Sequence, residues 1–335
     1  MRALLALLCL IVLPCVGLAA CDDPQARRPF TDSKVPVGLS VRAWPPEGWA
    51  WGLIRPEDAP PIRYGVTAPA GVARGHVLIV PDYAEPAEAW FEAAQGLIAH
   101  GYGVWALEQA GQGGSGRYMW QRDVGHAPDF KADVAALGAM RAVMHGRSTV
   151  YVAQGAAAPI LMDAIRTGLP AQGIVLSAPV LTPAFTGPDI YDVESAAPEL
   201  QMVKLGWIRA WGQEGWSAPS PIPTGRAAVI PLWQDANPPL RMGGPSFGYI
   251  AAFGEEAADL KGGSLTNVKA PVLILYPGVR PTADEAVLCK RLPHCDLQAI
   301  PDAHRSLHLE SDAALAAWTS AVAQFIDRTT PPPGR

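Results

Sequence analysis

The sequence predicts an α/β fold: a mostly parallel sheet, helices on both faces, and an insertion capping the strand ends. Three observations carry this. Short, continuously apolar runs such as "HVLIV" (76–80), "GVWAL" (103–107) and "GIVLS" (173–177) read as strands buried on both faces. Helical segments alternate with them, and strand–helix alternation means parallel crossovers. The composition, 335 residues with 49% hydrophobic and 17% charged, allows a large core.

The elements follow in order. "GWAWGLI" and "IRYGVTA" are two short strands opening the domain. "HVLIV" is the first fully buried strand, followed by a helix over 86–100 and the strand "GVWAL". Residues 129–144 are helical, with Asp129 near the start and Phe130, Val134, Leu137, Met140 and Met144 on one face. "STVYVA" is the third buried strand, with a helix over about 159–168. "GIVLS", "PVLILY" (271–276) and "LQAI" (297–300) complete the sheet, and the last helix runs from near Ser311 to about Asp327. Residues about 180–250 interrupt the alternation with Trp207, Trp211, Trp216, Trp233 and many prolines. An insertion there lies over the strand ends, where α/β folds keep their sites. Its tryptophans suit an acyl chain or a bilayer surface, and equally a small core of the cap itself.

The amino terminus reads "MRALLALLCLIVLPCVGLAACDD". One Arg precedes an apolar run that ends near Val16, as in a secretion signal and shorter than a membrane span. "LAAC" resembles the bacterial lipobox, which implies a signal peptide over 1–20, a lipidated Cys21 and a membrane anchor. An ordinary cleaved signal or an uncleaved anchor is the alternative. Residues 21–40 then form a tether and 41–330 the domain. Asp22 resembles an inner-membrane retention signal, so the expected location is the periplasm-facing cell envelope. Cys9 and Cys15 leave with the signal, so Cys289 and Cys295 remain as an even pair, a disulfide or two buried thiols. The net charge of −5 gives no electrostatic reason for nucleic acid. The sequence shows no metal or cofactor site. Gly111, Gly113 and Gly116 match G-x-G-x-x-G, but "RYMWQRDVGHAP" follows where a dinucleotide site needs its helix.

Three stretches together carry a resemblance: "VPDYAEPAEAWFEAAQGLIAHGYGVWALEQAGQGGSGR" (80–117), "DFKADVAAL" (129–137) and "NPPLRMGGPSFGYI" (237–250). They resemble the α/β-hydrolase fold, specifically the monoacylglycerol lipase and lysophospholipase group. That resemblance implies a nucleophile, an acid and a histidine in that chain order, with backbone donors for the oxyanion. "VAQGAAAP" resembles the nucleophile elbow, with Gly155 at the serine position. A glycine relieves the positive-φ strain of an elbow, and Ala153 and Ala157 keep its small flanks. His304 takes the histidine position, with Glu310 retained behind it. Arg280 stands at the acid position, and Asp284, four residues on, is the substitute acid. Asp82 replaces a glycine in the oxyanion loop, while Tyr83 and Ala156 supply the backbone donors. The nearest serines, Ser115 and Ser177, fall in a structural turn and at a strand end.

Three catalytic positions depart together, at Asp82, Gly155 and Arg280. The reading that follows is a membrane-anchored protein of this fold that has lost hydrolysis and binds a lipid-like ligand or a protein partner. An active carboxylic-ester hydrolase with atypical residues is one alternative. A structural envelope protein is the other.

Overall fold

The computed structural model describes residues 27–182, 190–221 and 223–330. The signal segment and Cys21 lie outside the described residues. One eight-stranded sheet runs through the domain in the order β1-β2-β4-β3-β5-β6-β7-β8. The strands are β1 (Ala50–Ile54), β2 (Ile62–Thr67), β3 (Gly75–Val80), β4 (Tyr102–Leu107), β5 (Thr149–Gln154), β6 (Gly173–Ser177), β7 (Val272–Pro277) and β8 (Cys295–Ile300). β1 pairs antiparallel with β2, and β2 with β4; every other pairing is parallel.

Successive side chains of a strand point to opposite faces, so each apolar run feeds two cores. Val77, Ile79, Val152 and Leu273 meet α1 (Phe91–Ala99) and the last helix, α8 (Asp312–Thr329), around Phe91, Trp318 and Phe325. Leu78, Val80, Tyr151 and Ile274 meet α2 (Lys131–Val143), α3 (Ala157–Arg166) and α7 (Ala283–Arg291) on the other face. Burial on both faces is why these strands lack polar alternation. Each fully buried side chain of this kind stabilises the fold by about 1.5–3 kcal/mol.

Between β6 and β7 the chain forms α4 (Ile190–Met202), α5 (Val229–Ala236) and α6 (Phe247–Gly262). The four tryptophans of this insertion divide. Trp233 is fully buried against Phe91, whereas Trp207 and Trp211 are exposed. The segment expected as a tether is, from Arg27 onward, a strap on the domain. Phe30 N–H donates to Gly114 O, Arg117 N–H to Arg27 O, and Lys34 exchanges two hydrogen bonds with Asn237. A segment whose polar backbone is paired in this way has no tether's freedom.

The strand order reverses around β3, which lies between β4 and β5. In such sheets the crevice at the carboxyl ends of the flanking strands is the site. Here Val80 of β3 pairs in register with Ala153 of β5. The residues two positions further along each chain, Asp82 and Gly155, therefore emerge side by side.

Candidate functional site

β5 ends at Gln154, Gly155 turns the chain at φ +55°, and α3 begins at Ala157. This is the strand–turn–helix of an elbow. Its turn is tied down by Gly155 N–H donating to Ser177 O at 3.0 Å and Val180 N–H to Gly155 O at 3.0 Å. Ala153 and Ala157 are fully buried, so the turn sits tightly against its neighbours.

The Asp82 carboxylate occupies the space where a nucleophile side chain would project. A Cβ on Gly155 would lie 2.1 Å from Asp82 Oδ2. Asp82 Oδ1 accepts from the backbone N–H of Ala156 at 2.7 Å and of Tyr83 at 2.7 Å. These are the two donors expected to form the oxyanion hole, and both converge on one carboxylate oxygen. Asp82 Oδ2 lies 3.3 Å from Arg305, and the Asp82 side chain is 10% exposed. Burial pushes the Asp82 carboxyl above the usual carboxylate range, with Arg305 and the two N–H donors pulling the other way.

A second buried layer holds this loop. Glu85 Oε2 accepts from Asp82 N–H and from Trp90 Nε1–H, both at 3.0 Å. Glu85 Oε1 lies 2.9 Å from His308 Nε2, and the His308 ring stacks on Trp90 with centroids 3.5 Å apart. Burial raises the Glu85 carboxyl, but His308 and the hydrogen bonds outweigh it and hold the group below its ordinary value. Beneath the neighbouring glycine loop, Arg63 is buried between Glu88 and Glu108, with ion-pair contacts of 2.7 Å to each. A Cβ on Gly113 or Gly114 would collide with Glu108 or Arg63. The glycines that resemble a dinucleotide loop thus wrap an internal ion cluster.

The other expected residues fall in different places. The His304 side chain is 88% exposed and pairs with Glu310 at 3.4 Å, with no bond to the elbow. The next residue, Arg305, reaches Asp82, and its carbonyl accepts from Gln154 Nε2–H at 2.8 Å. Arg280 is exposed beyond the end of β7. Asp284 pairs with Lys261 at 2.8 Å and accepts from Thr182 at 2.9 Å, so it serves the cap rather than a histidine. Ser115 Oγ accepts from Arg63 N–H and Ser177 Oγ from Trp318 Nε1–H, so both serines are buried structural acceptors. Cys289 and Cys295 are joined by a disulfide that ties the end of α7 to the start of β8.

Sequence reasoning missed Arg305, Glu85, His308 and the buried Asp133. The segment "HRSLHLE" holds two histidines and an arginine within five positions, and only the loop's path decides which faces the elbow. Asp133 Oδ1 accepts from Ala110 N–H at 2.7 Å while Oδ2 is buried without a partner. Burial pushes this carboxyl up to about 7.

The space beside Ala156 is packed. Ala156, Ile160, Phe130, Tyr249 and Phe253 form a small core against which Tyr83 lies. The Tyr83 and Tyr249 rings are 4.7 Å apart, and the Tyr83 hydroxyl donates to Gly243 O of the cap at 2.8 Å. The surface clefts of about 170–720 Å³ beside His76, Leu39, Trp44, Glu194 and Asp284 are not lined by Asp82, Tyr83, Gly155, Ala156 or Arg305. Among the described residues, no group of three or more His, Cys, Asp and Glu could hold a metal ion. No helix among them is long and apolar enough to cross a membrane.

Residues 71–304 match the family model of serine aminopeptidase, S33. No curated protein sequence matches the chain. Among solved structures it is similar to a soluble variant of the Saccharomyces cerevisiae monoglyceride lipase, at 18% identity and a TM-score of 0.65, over 88% of this chain and 99% of that one. It is also similar to the Paleococcus ferrophilus monoacylglycerol lipase, at 16% identity and a TM-score of 0.63, over 79% and 98%. A bacterial membrane phospholipase A aligns over 98% of this chain and 99% of that one, at 16% identity and a TM-score of 0.55. At these identities the likeness is one of fold.

Proposed function

The chain belongs to the serine aminopeptidase S33 family of α/β-hydrolases, and from that premise we propose that it is a non-hydrolysing member acting through its surface. One observation carries this reading: the Asp82 carboxylate sits where the nucleophile would be and engages both backbone donors. Acyl transfer needs a nucleophile and a hole that receives the developing oxyanion. Gly155 provides no hydroxyl. The hole already holds a carboxylate oxygen, so a substrate oxyanion meets occupied donors. If Asp82 is ionised it meets a negative charge as well. Loss of a single oxyanion donor elsewhere costs about 10²–10³ in rate, and here two are engaged.

The aromatic core around Tyr83 and Tyr249 supports a surface role over an acyl pocket at the elbow. The reading places the protein on the periplasmic side of a bacterial membrane, held through lipidated Cys21, with Asp22 favouring the inner membrane. Its partner is a lipid-like ligand or another envelope protein. An active carboxylic-ester hydrolase is the second reading, favoured by fold neighbours that are named lipases and a phospholipase. One experiment decides between them. Purified protein is treated with a serine-directed fluorophosphonate and assayed on short acyl esters and lysophospholipid. The first reading expects no labelling and no turnover above buffer. Labelling that one Ser→Ala change abolishes would overturn it.

A further inference from the structure

We propose that the strap and the cap together form a bilayer-docking face that lays the domain on the membrane holding its amino terminus. The proposal rests on the lipid-anchored reading above and adds an orientation to it. Large apolar side chains stand exposed on one stretch of the cap: Met202 at 78%, Val203, Leu205, Trp207 at 48% and Trp211 at 54%. Trp120, also exposed, lies on a loop hydrogen-bonded to the same region. Asp123, three residues on, pairs with Arg209 at 2.9 Å and accepts from Trp216 N–H at 2.9 Å. Arg209 therefore brings Trp207 and Trp211 beside the Trp120 loop.

The strap enters the domain at this same loop. Arg117 N–H donates to Arg27 O, and Arg122 Nη1–H to Arg28 O at 2.7 Å. Only six residue steps separate Cys21 from Arg27. Fully extended, they span about 20 Å. A lipidated Cys21 thus keeps Arg27, and with it the Trp120 loop, within about 20 Å of the lipid surface, less than the width of a small domain. Tryptophan suits the membrane interface because its ring is apolar and its N–H remains wet. Arg28 and Lys204 on this face are balanced by Glu199 and Glu214, all four exposed. Apolar insertion rather than charge therefore holds the face down, and salt should affect it little.

The test uses the lipidated full chain in vesicles of phosphatidylethanolamine and phosphatidylglycerol with brominated acyl chains, read by flotation and tryptophan quenching. The wild type should co-float and be quenched, equally at 0.1 M and 1 M salt. Trp120→Ala, Trp207→Ala and Trp211→Ala combined should still co-float through Cys21 but lose most of the quenching. Trp44→Ala, at an exposed tryptophan elsewhere, should retain it. Val203→Glu with Met202→Lys should reduce quenching while leaving every tryptophan in place, which covers the case that the triple variant folds poorly. Co-flotation with no quenching, or quenching unchanged in both sets of variants, overturns the docking face. Quenching lost in 1 M salt overturns its apolar basis. A wild type that carries no lipid on Cys21 overturns the anchored reading, and the orientation falls with it.

Discussion

Gly155→Ala is the sharpest probe of the elbow. The substitution adds one methyl group, yet its Cβ falls 2.1 Å from Asp82 Oδ2, well inside contact distance. Two costs follow. An L-residue at φ +55° is strained by about 1–2 kcal/mol. Relieving the clash also moves a short, buried side chain away from two N–H donors, each worth about 1.5–3 kcal/mol to a carboxylate. The freed carboxylate regains hydration, which offsets part of the second cost, so the net loss should be about 2–5 kcal/mol. In an Asp82→Gly background the clash is gone and only the strain remains, about 1–2 kcal/mol. The four proteins form a double-mutant cycle, read as urea unfolding followed by tryptophan fluorescence and far-UV circular dichroism. The expected coupling between the sites is about 1–3 kcal/mol, the range for residues in contact. A coupling below about 0.5 kcal/mol would mean that Asp82 does not occupy the nucleophile space, and the account of the elbow would fail. The same geometry predicts that Gly155→Ser combined with Arg280→Asp stays silent in esterase assays, because the hole is still filled.

Three further outcomes can be measured directly. Asp133 has a folded-state value of about 7, above the unfolded aspartate value of about 3.9. Its contribution is therefore complete below about pH 4 and lost as pH rises through 7, so Asp133→Asn should gain stability relative to wild type across that window in unfolding midpoints. Arg63→Met leaves Glu88 and Glu108 buried without their cation and should cost about 3–5 kcal/mol, visible as a large fall in the urea midpoint; a loss under 1 kcal/mol would contradict the buried cluster. Removing the disulfide with Cys289→Ser and Cys295→Ser frees a short loop and should cost about 2 kcal/mol by chain entropy, read as a lowered thermal midpoint.

Much of the fold was legible in the sequence because its signals are local. Runs such as Val77–Val80 and Val104–Leu107 are apolar at successive positions, as a strand covered on both faces requires. The pattern over 86–100 predicts one helix; in the structure residues 87–90 form a 3-10 turn and α1 starts at Phe91. Pro and Arg content suggests a tether, whereas the residues from Arg27 onward form a strap on the domain. Its order comes from the backbones of Gly114 and Arg117 and the side-chain amide of Asn237, which lie far along the chain. The sequence leaves the cap tryptophans open between core and surface because a proline-rich segment has no period to show which side is covered.

The sequence by itself determined the parallel sheet with its cap and the absence of a hydroxyl at Gly155, since apolar period and residue identity are properties of the chain. Only the tertiary structure decided what fills the space that Gly155 leaves. Register between β3 and β5 sets Asp82 beside a residue 73 positions away, close enough to take both backbone donors. In the last loop a single step in sequence separates a solvent-facing His304 from the Arg305 that reaches Asp82. Side-chain direction in a loop follows its backbone path, which distant contacts set and no local pattern records.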